Sequence, residues 1–88
     1  MHLVWAAGGE ARLLQISADT IALESTTPSP PGSRIEGTLS VGSGRKLRVK
    51  VHGSRKEASG RFRIDGRPLD MSREAREELE ALVASVAG

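Results

Sequence analysis

The sequence predicts a mainly β fold: a small antiparallel six-stranded β-barrel with one C-terminal α-helix. Up to residue 66 apolar and polar residues alternate in short runs, the pattern of half-buried strands. Clusters of Gly, Pro and Ser cut those runs at spacings of about ten residues. After Pro68 the apolar period lengthens from two to that of a helix. Five or six short strands followed by one amphipathic helix suit a barrel closed at one mouth by that helix.

Taken in order, residues 1–9, MHLVWAAGG, form an N-terminal arm or a first strand, and the barrel proper is expected over 10–66. ARLLQI and TIALES are two alternating runs, and QISADT between them reads as a turn. The loop TTPSPPG, with Pro28, Pro30 and Pro31, suits neither a helix nor a central strand. RIEGTLSV then places Ile35, Gly37, Leu39 and Val41 on one face, and RKLRVKV places Leu47, Val49 and Val51 inward. The short linker with Gly42, Ser43 and Gly44 predicts an antiparallel hairpin between those two strands. GSRKEASG is expected as a polar loop, and GRFRID as a strand with Phe62 and Ile64 inward. The helix is expected over 71–86, capped by Asp70 or Ser72, with Arg73 beside Glu77 and Arg76 beside Glu80 on its exposed side.

Eighty-eight residues make one domain, 1–88, with apolar residues at 38% and charged residues at 27%, the composition of an ordinary folded chain. Only Trp5 and Phe62 are aromatic, so Leu, Ile, Val and Ala must build the core. The absence of cysteine excludes a disulfide framework, thiolate metal ligation and a cysteine nucleophile, and accords with a cytoplasmic protein. No apolar run is long enough for membrane insertion. His2 and His52 have no companion carboxylates at ligand spacing, no Ser or Thr has a neighbouring His with an orienting acid, and no phosphate loop with Lys-Ser/Thr is present. Neither a metal, a cofactor nor enzymatic activity is expected.

Residues 45–67 carry nine bases against two acids, Glu57 and Asp65. Within that stretch Arg48, Lys50, Arg61 and Arg63 fall on outward positions of two strands expected to be neighbours, a basic patch of the kind that contacts phosphate backbones. Aromatic residues on which bases would stack are missing there, so a nucleic-acid partner is not favoured over a solvated strand face. Along the helix, Leu79, Leu82, Val83 and Val86 line one side and exceed what a short lid must cover, which raises a homodimer through that surface.

The order GEARLLQIS, PSPPGSRIEGTLSV, LRVKVHG and GRFRIDGRPLDMSREAREELEALV, over residues 9 to 86, resembles a PilZ domain. The resemblance implies a six-stranded barrel with a C-terminal helix, and a family ligand, cyclic di-GMP. In the family that ligand is held by an Arg-x-x-x-Arg arm and an Asp/Asn-x-Ser-x-x-Gly turn. Here residues 1–11 contain no Arg or Lys, and Arg12 stands alone inside a strand. Ser17 keeps the serine of the turn, but Gln15 replaces the Asp or Asn and Thr20 replaces the glycine. The degenerate site would therefore comprise Arg12, Gln15, Ser17 and Thr20. The expected function is a non-catalytic PilZ-like module of bacterial signalling or motility that works through a protein partner. The alternatives are a cyclic di-GMP receptor whose arginine arm lies upstream of Met1, or a small-barrel nucleic-acid binder using the 45–67 face.

Overall fold

The structure, a computed structural model, describes residues 2–40 and 44–87, with side chains through residue 85. Six strands, β1 (His2–Trp5), β2 (Glu10–Ile16), β3 (Ile21–Ser25), β4 (Arg34–Leu39), β5 (Arg45–Lys56) and β6 (Phe62–Leu69), precede one helix, α1 (Arg73–Ala87). All pairings are antiparallel, and the sheet closes in the order β1, β2, β3, β6, β5, β4. It consists of two three-stranded meanders, β1 to β3 and β4 to β6, joined along two seams where β3 meets β6 and β1 meets β4. The proline loop connects one meander to the other, with Pro30 O accepting bonds from both Ser33 N–H (3.1 Å) and Ser33 Oγ (2.6 Å).

Alternation fills the interior. Leu3, Leu23, Leu39, Leu47, Val49, Val51 and Ile64 are fully buried, and their intervening neighbours are exposed or half-buried except at Ala22, which is buried as well. Residues 1–9, left open between arm and strand, supply β1 and thereby close the barrel. Trp5, only 6% exposed, sits at the mouth opposite the helix and donates its indole N–H to Ser25 Oγ at 2.9 Å. Ser25 is itself fully buried, so this bond satisfies two polar groups that would otherwise be costly inside an apolar core. At the other mouth α1 packs against β2. Ser72 Oγ accepts the Ala75 N–H (3.1 Å) as its N-cap, leaving the Asp70 alternative to a different role. Asp70 has φ 51°, a left-handed turn residue that reverses the chain from β6 into the helix, and its carboxylate meets Arg48 at 2.6 Å. Arg45 bonds Glu78 at 2.9 Å, and both i,i+4 pairs expected on the helix are present.

Four expectations about element limits and facing are corrected. Gly53, Ser54, Arg55 and Lys56 are not loop but the end of β5, because a bulge at His52, between Val51 and Gly53, lets the ladder continue although the side chains are polar. β6 runs on through Arg67 and Pro68 to Leu69; beyond Gly66 it has no β3 partner, and a proline is tolerated on such an edge. The helix occupies Arg73–Ala87, not 71–86, and Met71 packs against the core just before it. Phe62 is half-buried at the barrel mouth beside Pro28 and Pro30, outside the buried core. Val41 and the side chain of Val86 lie outside the described residues.

Gly66 needs no Cβ for a reason the bulge supplies. A methyl there would run into the carbonyl oxygen of Lys50, because β5 closes tightly over β6 at that point. Gly37 plays the same part at the seam of β1 and β4, where a Cβ would come within 2.9 Å of the Val4 carbonyl oxygen.

Candidate functional site

QISADT forms the connection from β2 to β3, and it closes on itself. Ser17 N–H donates to Thr20 O (2.8 Å), Thr20 N–H donates to Ser17 Oγ (3.2 Å), and the two hydroxyl oxygens stand 2.6 Å apart. Thr20 does not adopt a positive φ. A glycine is therefore not needed where the PilZ pattern has one, and the serine hydroxyl is occupied within its own turn. Gln15 is exposed on β2 opposite Ala22, just past a bulge at Leu14. Arg12 is five residues upstream of Ser17, roughly 15 Å along the strand, and meets Glu24 at 3.5 Å. It lines a groove of about 370 Å³ with His2, Glu10, Glu24 and Arg61, in which Gln15, Ser17 and Thr20 take no part. Every basic side chain in that groove has a carboxylate beside it: His2 has Glu10 at 3.8 Å, and Arg61 shares Glu24 at 3.9 Å.

The four residues of the expected basic patch are on neighbouring strands or beside them, but the register does not bring them together. Lys50 stands opposite Arg67, whereas Arg63 stands opposite Arg55, and Arg61 precedes β6. Arg48 is clamped between Glu36 (3.7 Å) and Asp70 (2.6 Å), and Arg63 lies 3.4 Å from Asp65. The row that the register does assemble is Arg34, Lys50 and Arg67, on three successive strands. Arg34 alternates with the inward positions of RIEGTLSV, and Arg67 lies just past residue 66, where the sequence predicts the barrel to end. Extending the alternation of GRFRID two steps, past the glycine and up to the proline, is the signal that would have placed Arg67 on the outer face.

On the helix, Leu79 is fully buried and belongs to the barrel core, while Leu82 and Val83 are partly buried against it. These residues seal the mouth. Among the described residues the only large apolar side chain that is exposed is Val4, on β1.

Beside the Trp5 mouth lies a cleft of about 460 Å³ lined in part by Trp5, Ala6, Pro28, Arg34, Ile35 and Glu36. It combines an apolar floor with one guanidinium and one carboxylate at its rim. No cluster of three or more His, Asp or Glu residues suited to a metal ion occurs among the described residues, and no helix is long and apolar enough to cross a membrane. Comparisons with protein-family models, with curated proteins and with solved structures find no match to this chain.

Proposed function

We propose that this chain is a non-catalytic, PilZ-like binding module of bacterial cytoplasmic signalling or motility, acting through protein contacts and not taking up cyclic di-GMP in this form. The observation that carries the reading is the β2 to β3 turn. At the position where the resemblance would put a ligand-holding turn, Ser17 and Thr20 satisfy one another. The arginine nearest to it in sequence, Arg12, is paired with Glu24 on another part of the surface. Two guanidiniums converging on a guanine edge or on phosphates would give bidentate recognition; a single paired one, displaced along the strand, gives none. The barrel and capped helix accord with the architecture that the resemblance implies.

Calorimetric titration of the chain with cyclic di-GMP tests the reading. No saturable heat is expected. Saturable binding at low micromolar affinity or better overturns it, and substitution of Arg12, Gln15 and Ser17 would then locate the ligand.

A further inference from the structure

On the outer face of a sheet, opposite charges directly across neighbouring strands favour pairing, and like charges there oppose it. Two rungs of this barrel keep the rule, Arg12 across from Glu24 and Arg48 across from Glu36, and where Arg55 stands across from Arg63 the latter has Glu24 across from it on its other side. The rung two residues along from Arg48 breaks it. Arg34 of β4 lies directly opposite Lys50 of β5, which lies directly opposite Arg67 of β6. Arg34 and Arg67 are exposed, and Lys50 is half-buried between them. None of the three pairs with a carboxylate among the described residues, although Glu36, Asp65 and Asp70 are close along the strands and bind other arginines. With strands about 4.8 Å apart, three positive charges start from backbone positions within about 10 Å. A rung that works against its own sheet is retained at a cost in stability, and an external anion would relieve it.

We propose that the rung of Arg34, Lys50 and Arg67 is the docking surface for an acidic segment of a partner protein, an inference that rests on the reading of the chain as a protein-binding module. The length of the rung selects that partner. Glu36 and Asp70 bound it on the helix side, and Asp65 bounds it on the other, so the cationic strip is short and ends in carboxylates. A nucleic-acid duplex held by its backbone needs a longer track, typically about 6–10 phosphate contacts. Carboxylates three or four apart on a helix stand about 5–6 Å from one another, close to the spacing of the rung. At its β4 end Arg34 also lines the cleft floored by Trp5, Pro28 and Ile35. An apolar residue flanking the acidic ones would be buried there, while Glu36 at the same rim disfavours an acid in that place.

Fluorescence anisotropy of the full chain with a labelled oligo-glutamate peptide ending in leucine tests this, beside a short DNA duplex as the competing polyanion. Saturable peptide binding that weakens with added salt is expected. Lys50→Glu should weaken it about tenfold or more, whereas Arg73→Glu, which makes the same change of two charges on the exposed side of the helix, should change it less than about twofold. The unfolding midpoint of Lys50→Glu should not fall, which separates lost recognition from lost fold. Equal losses in the two variants would overturn the rung in favour of net charge alone. Absence of binding to either probe would overturn the rung while leaving the module reading to its own titration. Duplex binding tighter than peptide binding, and lost in Lys50→Glu, would overturn the proposal and the protein-contact reading together.

Discussion

The meander of β1, β2 and β3 and the meander of β4, β5 and β6 are built alike inside and differently outside. In the first, basic and acidic side chains stand beside one another across strands: His2 near Glu10, Arg12 near Glu24, and Arg61 reaching in to share Glu24. In the second, one rung is paired through Arg48 and the next stacks Arg34, Lys50 and Arg67 without a counter-charge among the described residues. Exposed pairs contribute little each, of the order of 0–1 kcal/mol, so the first meander gains modestly from its surface. The second must be held from within, by Leu47, Val49, Val51 and Ile64, all fully buried, and by the close packing at Gly66. A surface that does not hold the sheet is available to something else.

Substitutions can break this comparison or sharpen it. The largest effect is expected at Gly66→Ala, where the new methyl meets the Lys50 backbone with no flexible side chain to yield; a loss above about 3 kcal/mol in denaturant unfolding is expected. A loss below about 1 kcal/mol would show that the second meander does not depend on that junction. Trp5→Phe tests the first meander from inside by removing the indole donor and leaving Ser25 with fewer partners. A cost of about 1–3 kcal/mol is expected, read as a lower midpoint with an unchanged denaturant slope. Lys50→Glu should act in the opposite direction, adding cross-strand pairs to Arg34 and Arg67 and stabilising by about 0.5–1 kcal/mol at low salt. An unchanged or lowered stability in that variant would mean that the three charges already avoid each other through solvent. The smallest effect belongs to Glu24→Gln, which unpairs Arg12 and Arg61. It should cost less than about 1 kcal/mol, and the difference from wild type should vanish as salt is raised.

Much of the barrel was legible because alternation is a strong signal wherever one face is buried. Leu47, Val49 and Val51 turn inward as their spacing requires, and the change of period after Pro68 marks the helix. QISADT was legible as a turn from its small polar residues, and the hydroxyl pair of Ser17 and Thr20 is the local bonding such residues supply. What alternation could not convey was register. A bulge at His52 adds one residue to β5 and moves every later pairing by one step, so the partners of Arg63 and Lys50 could not be read from either strand alone. The rung containing Arg67 was hidden for the same reason: Gly66 and Pro68 look like the end of a strand in sequence, yet one is required by close packing and the other lies on an edge. Phe62 was misplaced because a mouth position obeys the alternation without being enclosed by it.

The way the two meanders are sewn together also sets an order of assembly. Within each meander every strand pairs with its neighbour in the chain, and such hairpins form from short loops. The seams do not: Ile21 waits for Gly66, and Leu3 waits for Leu39. During synthesis the first meander emerges with its apolar face uncovered, its β1 edge open until β4 has followed and its β3 edge open until β6 has followed. Closure of distant ends slows folding relative to local pairing, and uncovered strand edges invite pairing with other chains. The proline loop, which limits the conformations available to the link between the halves, shortens that search, and the last seam to form is where the chain passes from two vulnerable ribbons to a sheet without an edge.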